Sequence, residues 1–192
     1  DRVGSVQYGS HRCWSRGRFY HSWVVKFHRN LLTFIRIYNN LKYYSLNNNS
    51  KDVGFIGAIE KGLAPDRGLY FPSEIPELTN YFVKNIKKYS DHEIAFRVIK
   101  PFVGNEIPND ALKGIIKKTL KFNFPIVNIS KNIEWVELFH GPTLAFKDVG
   151  ARFMTNCLSY ANLKKKENKK ITVLVATSGD TGGAVANGFY KS

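Results

Sequence analysis

The feature that most constrains the fold is a strand–turn–helix pattern that occurs twice in the second half of the chain. In the first occurrence, residues 136–139 predict a short strand, and His140, Gly141 and Pro142 follow as strong turn residues. Apolar residues then recur at helical spacing, at Phe146, Val149, Phe153, Met154, Cys157, Leu158 and Ala161. This spacing predicts a helix that begins close to Lys147.

The second occurrence begins with residues 171–176, a nearly continuous apolar run. Such a run predicts a strand that is buried on both faces of a parallel sheet. Residues 177–183 form a polar, glycine-rich turn, and a helix is predicted from Ala184. The loop would offer backbone N–H groups, hydroxyls and a helix N-terminus, which together suit a small anion. It matches neither common nucleotide fingerprint, and an ordinary tight turn is the alternative.

Lys147 stands at the predicted helix start, off the apolar face. The positive end of the helix dipole disfavours an ammonium group at that position. A lysine that acts as a neutral, nucleophilic amine fits there, because desolvation and nearby positive potential both favour the neutral form. The alternative is an exposed lysine beside Asp148 with no chemical role.

Taken together, the two patterns are far more specific than either alone. Phe-His-Gly-Pro-Thr-Leu-Ala-Phe-Lys-Asp at residues 139–148, followed by Ala-Thr-Ser-Gly-Asp-Thr-Gly-Gly-Ala at residues 176–184, closely resembles the threonine synthase family. Residues 62–72 resemble the N-terminal signature of the same family, with Arg67 where many members have glycine. The resemblance covers residues 42–192.

The resemblance implies a pyridoxal-phosphate enzyme of the tryptophan-synthase-β-like fold. Lys147 would be its Schiff-base lysine and its acid–base catalyst, and Ser178, Gly179, Asp180 and Thr181 would lie beside the cofactor and the substrate carboxylate. Asp180 stands where many relatives of the wider fold have asparagine, so we expect it to face a cofactor oxygen, water or another donor. The family's phosphate-holding loop is expected beyond residue 192.

The implied reaction converts O-phospho-L-homoserine and water to L-threonine and phosphate. Two alternatives share the fold: a threonine-synthase-like phospho-lyase that acts on a related substrate, and a serine or threonine dehydratase. The oligomeric state stays open. His140 lies in the signature turn, where a positioning role is an option beside a purely structural one.

The predicted fold class is α/β. Residues 42–125 predict a small, mostly helical N-terminal domain, with strands near 43–46 and 69–71. One helix is predicted with Asp52 as its cap and Gly62 at its C-terminal end, a second with Asp91 as its cap, and a third with Pro108 as its first residue. The alternation of strands and helices from residue 126 predicts a mostly parallel sheet covered by helices. The resemblance implies that this is the start of the pyridoxal-phosphate domain, which would run to residue 192. We expect that domain to be truncated in this chain, and the chain alone to be inactive.

The formal net charge of the 192-residue chain is +14, and residues 1–40 are rich in arginine and aromatic side chains with Asp1 as their one acid. Residues 1–41 are interpreted as a basic segment unrelated to the family. They would be disordered, or upstream sequence translated ahead of a non-standard start at Leu41. A transit peptide or a basic nucleic-acid-binding or membrane-surface module is the alternative.

The two cysteines, Cys13 and Cys157, have no metal-binding or redox spacing, and Cys157 falls on an apolar helix face. We therefore expect no metal and a cytoplasmic protein. No apolar run approaches the length of a transmembrane helix. We expect the partner to be a small-molecule substrate rather than nucleic acid or a membrane.

Overall fold

The computed structural model describes residues 41–165 and 172–190, so residues 1–40 of the predicted basic segment lie outside the described part of the chain. Among the described residues, no helix combines the length and apolar character that crossing a membrane requires. The elements in chain order are β1 Tyr43–Ser45, α1 Phe55–Lys61, β2 Tyr70–Pro72, α2 Asn80–Lys84, a 3-10 helix Ile86–Lys88, α3 Asp91–Val103, α4 Asn109–Thr119, β3 Ile126–Ser130, β4 Ile133–Val136, α5 Asp148–Lys164 and α6 Asp180–Phe189.

Two short antiparallel sheets accompany these helices, β1 with β2 and β3 with β4. Tyr43 lies opposite Pro72 in the first sheet, and Ile126 lies opposite Val136 in the second. Both strands predicted in the N-terminal region are confirmed. The mixture of helices and small sheets confirms the α/β fold class, and the boundary predicted between residues 125 and 126 stays a prediction.

The strand predictions further along the chain are wrong in detail. The strand predicted at residues 136–139 ends at Val136, because residues 133–136 pair with β3 as a hairpin. Residues 172–176 form no strand, and Leu174 is 91% exposed. A parallel strand is stable only between neighbours that pair with its edges and cover its faces. The described residues supply no such neighbours for residues 172–176.

The hydrophobic core lies where α4, α1 and α5 meet. Its centre is Ile107, Leu112 and Ile116, which are at most 1% exposed. The Phe55 ring of α1 packs against the Phe153 ring of α5, with ring centroids 6.4 Å apart. Leu41, Tyr43, Ala58, Val103, Ile115 and Cys157 complete the buried cluster. The helix that follows Lys147 therefore rests on the same core as the N-terminal helices.

Two helix starts differ from the prediction, one through a local contact and the other through a tertiary contact. Ser90, and not Asp91, is the N-cap of α3, where it forms a capping box with Glu93. Helix α1 begins at Phe55 and not directly after Asp52. There the carboxylate of the distant Glu106 accepts hydrogen bonds from the Phe55 and Ile56 amides, at 2.8 and 2.9 Å.

Asp66 organises the loops of the N-terminal signature. Its carboxylate accepts hydrogen bonds from the Ser45 hydroxyl at 2.6 Å, the Asn49 amide at 2.8 Å and the Gly68 amide at 3.0 Å. The Ser50 hydroxyl accepts from the Asp66 amide at 3.1 Å. These bonds, with that from Ser45 as the largest cause, lower the pKa of the Asp66 carboxyl below its ordinary value.

Asp66→Asn should lower the thermal midpoint near neutral pH and have little effect in strong acid. Because the folded-state pKa is depressed, the stabilisation by the carboxylate is fully present above the unfolded-state pKa, about 4. It is lost as the pH falls through the folded-state value. Thermal melts from about pH 7 to about pH 3 should show the gap to wild type closing. Asp52→Asn, at an exposed aspartate, is the matched control; a gap that does not change with pH would contradict the prediction.

Candidate functional site

The turn before α5 is held by a buried carboxylate. Asp148 is 0% exposed. It accepts hydrogen bonds from the Thr143 amide at 2.9 Å and from the Thr143 hydroxyl at 2.6 Å. A Cβ added at Gly141 would collide with the Asp148 carboxylate, so the glycine of the signature turn is required by this close approach. The hydrogen bonds with Thr143 and the close contact with Gly141 therefore hold the backbone that leads to Lys147.

Lys147 is the N-cap residue of α5, so the prediction of a helix start at this lysine is confirmed. Its side chain is half-buried, and its Nζ lies 5.1 Å from the centroid of the Phe146 ring. Phe146 was predicted as the first residue of the helix's apolar stripe, which is wrong, because α5 begins at Asp148 and the Phe146 side chain is 63% exposed.

Helix α6 begins earlier than predicted, at Asp180 and not at Ala184. Gly179 is its N-cap, with φ of +154°, a conformation that residues with a side chain rarely adopt. The Gly179 amide donates to the Thr177 hydroxyl at 3.3 Å. The predicted glycine-rich turn is therefore a helix N-terminus whose backbone N–H groups suit an anion.

A cavity of about 360 Å³ joins the two predicted motifs. Lys147 and Thr181 both line it, so the structure brings together the starts of α5 and α6. Ser178, Gly179 and Asp180 are exposed and do not line this cavity. The remaining wall is mainly apolar and consists of Phe146, Gly150, Ala151, Met154, Ala184 and Val185.

Helix α6 packs closely on α5, whose Ala151 also lines this cavity. A Cβ at Gly188 would lie 2.8 Å from the Thr155 hydroxyl and 3.3 Å from the Ala151 carbonyl oxygen. Only glycine allows the two backbones to approach this closely. Thr155 is buried and donates its hydroxyl hydrogen bond back to the Ala151 carbonyl at 2.8 Å.

Sequence reasoning missed the side chain that fastens α5 to its neighbour. The Arg152 guanidinium donates to the Lys118 carbonyl at 2.7 Å and to the Thr119 carbonyl at 3.3 Å, at the C-terminal end of α4. A cation at a helix C-terminus is favoured by the helix dipole and satisfies its free carbonyls. In the sequence, the only indication of a role for Arg152 was its position on the same helix as Lys147.

His140 lies in the signature turn but does not line the cavity. Its Nε2 is 2.6 Å from Glu137 Oε2, and its ring stacks on Phe139 with centroids 4.9 Å apart. A positioning role for His140 stays a prediction.

The Cys157 thiol lies in the hydrophobic core and not at the candidate site. Burial raises the pKa of the Cys157 thiol to about 12, so it is neutral near physiological pH and packs as a core residue, as predicted. Within residues 41–165 and 172–190, no three His, Cys, Asp or Glu side chains are grouped to hold a metal ion.

The cavity fits the group that the family resemblance implies. Pyridoxal phosphate has a flat aromatic ring, which needs apolar walls, and an aldehyde carbon, which a lysine amine can hold. Phe146, Met154 and Val185 would supply such walls, and Lys147 would supply the amine. The phosphate-holding loop, expected beyond residue 192, is not part of this fit.

Comparison with known proteins gives a consistent set of relatives. Residues 42–120 match the family model described as "Threonine synthase N terminus". The chain is 46% identical over 152 residues to the threonine synthase of Buchnera aphidicola subsp. Baizongia pistaciae, covering 79% of this chain and 35% of that protein. It is 37% identical over 150 residues to the threonine synthase of Escherichia coli K12, covering 78% of this chain and 34% of that protein.

Solved structures agree with these relatives. The structure is similar to the PLP-bound threonine synthase from Brucella melitensis, with a TM-score of 0.73 and 37% identity, covering 78% of this chain and 33% of that one. It is also similar to threonine synthase from Escherichia coli, with a TM-score of 0.71, 37% identity and coverage of 78% and 34%. The chain spans about a third of the length of the relatives it matches.

Proposed function

Because the chain belongs to the threonine synthase family, we propose that the protein containing it converts O-phospho-L-homoserine and water to L-threonine and phosphate. The observation that carries the proposal is a cavity that both Lys147 and Thr181 line. It brings the Lys147 amine and the N-terminal turn of α6 together from two motifs that are far apart in the chain. The protein would be a pyridoxal-phosphate-dependent lyase.

Lys147 would hold pyridoxal phosphate through its Nζ at the start of α5. When bound, the cofactor supplies a conjugated ring that stabilises negative charge on the carbon atoms of an attached amino acid. The Nζ of Lys147 would also accept a proton from one substrate carbon and return it to another. The hydrogen-bonded turn formed by Thr143 and Asp148 would hold the backbone of Lys147 in position.

The N-terminus of α6 would receive the substrate carboxylate. The backbone N–H groups at this end and the Ser178 and Thr181 hydroxyls are donors of the kind that an anion needs. Asp180 cannot serve a carboxylate in the same way, because two negative charges repel. Since its side chain is exposed, we assign it to a cofactor oxygen, to water or to another donor, in keeping with the sequence-based expectation.

The proposal retains three further expectations from the sequence: a cytoplasmic setting, a small-molecule substrate, and neither nucleic acid nor a membrane as partner. The spacing of Cys13 and Cys157, far apart and without a redox motif, supports the first. The cavity of about 360 Å³ supports the second, since it lies within the size range of small-molecule sites.

A substrate comparison tests the proposal. The intact protein, loaded with pyridoxal phosphate, is given O-phospho-L-homoserine, L-threonine or L-serine in separate assays. We expect threonine and phosphate to form in equal amounts from the first substrate. Formation of 2-oxo acids from threonine or serine, with no threonine from O-phospho-L-homoserine, would instead identify a dehydratase. Phosphate release without threonine would identify a phospho-lyase of another kind.

A further inference from the structure

Neither a steric contact nor the backbone conformation of the described residues requires glycine at position 150. It lies in the first turn of α5, three residues after Lys147, and lines the cavity. A Cβ built on Gly150 would meet no atom within 4 Å, and its φ is not in the left-handed region. By contrast, Gly141 and Gly188 are required by close neighbours.

A helical glycine without a packing reason is unfavourable. Glycine loses more backbone freedom in a helix than any other residue, and alanine in its place stabilises the helix. Since alanine would fit Gly150 without a clash, neither local conformation nor packing in the described chain accounts for the glycine. A group outside the described residues would account for the open space beside Gly150.

We infer that Gly150 keeps the space beside Lys147 clear for the aromatic ring of the bound cofactor. This inference rests on the proposed function. Residues three apart on a helix lie on the same face, so the open space above Gly150 adjoins the position from which the Lys147 side chain extends. The apolar side chains of Met154 and Val185 line the same cavity and suit the faces of an aromatic ring.

The inference predicts opposite effects on stability and on cofactor binding. In the intact, cofactor-free protein, Gly150→Ala should raise the thermal midpoint by about 2 °C, because it restricts the unfolded chain and favours the helix. Its affinity for pyridoxal phosphate, titrated by absorbance, should fall by roughly tenfold or more, because a methyl group occupies the space of the ring. Gly150→Leu should weaken binding further.

Gly114 provides a matched control. It also lies inside a helix, α4, is exposed, and a Cβ on it would meet no atom within 4 Å. It does not line the cavity. Gly114→Ala should therefore give a similar rise in thermal midpoint and leave the dissociation constant for pyridoxal phosphate unchanged.

Two results would overturn the inference about Gly150 without affecting the proposed function. If Gly150→Ala lowers the thermal midpoint of the cofactor-free protein while Gly114→Ala raises it, the space is filled by protein. If both Gly150 variants bind pyridoxal phosphate as tightly as wild type, the glycine does not serve the ring. If wild type itself binds no pyridoxal phosphate and forms no threonine, the proposed function fails, and the inference fails with it.

Discussion

Lys147→Ala should abolish covalent capture of pyridoxal phosphate and reduce threonine formation by at least about a hundredfold in the intact protein. The variant loses both the amine that holds the cofactor and the group that moves protons between substrate carbons. Wild-type protein that is loaded with cofactor, reduced with borohydride and digested should carry the pyridoxyl label on the peptide that contains Lys147.

Lys164→Ala is the control for this experiment. It removes the same charge from the other end of α5, where Lys164 is exposed in the last turn. It should retain both label and turnover. A pyridoxyl label on any lysine other than Lys147, or threonine formation by Lys147→Ala close to the wild-type rate, would contradict the assignment.

The 192-residue chain on its own should self-associate and retain no pyridoxal phosphate. Its second half exposes many large apolar side chains that no described element covers, including Ile126, Ile129, Ile133, Trp135, Leu144, Phe146 and Leu174. Exposed apolar surface of this kind and unpaired strand edges promote association. The cofactor would lack its phosphate-holding loop if, as the resemblance implies, that loop lies beyond residue 192.

Gel filtration measures the self-association of the chain, and binding of a hydrophobic dye measures its exposed apolar surface. An assay with O-phospho-L-homoserine then tests for threonine formation. Trp135→Glu combined with Leu174→Glu should shift the chain toward the monomer. Ile75→Glu, at a residue that is 67% exposed in the N-terminal region, should not. A monomeric wild-type chain that retains one cofactor per chain, or forms threonine above a Lys147→Ala control, would show that the prediction is wrong.

Local signals in the sequence predicted the N-terminal elements well, because short-range chemistry fixes them. Gly62 ends α1 with φ of +68°, as its position after an apolar helical stripe indicated. Pro108 marks the start of α4, although as the N-cap and not as the first helical residue. The start of α1 was less predictable, because Glu106 caps it from far along the chain.

The candidate site divides in a similar way. The sequence indicated Lys147 at a helix start and a glycine-rich turn near Gly179, and the structure has both. The resemblance placed residues 178–181 together beside the cofactor that Lys147 would hold. It gave no sign that Thr181 lines the cavity with Lys147 whereas Asp180 lies exposed outside it. That depends on how α6 lies against α5.

The sequence by itself determined the family, the α/β class and the position of Lys147 at the start of a helix. These follow from motifs, periodicity and turn residues, which act over a few positions. Only the tertiary structure decided that the Asp148 carboxylate is buried against Thr143, that Arg152 fastens α5 to α4, and that Gly150 opens onto the cavity. Each of these depends on atoms brought together by packing. The strand expected at residues 171–176 shows the same rule, because a parallel strand exists only where neighbours pair with it.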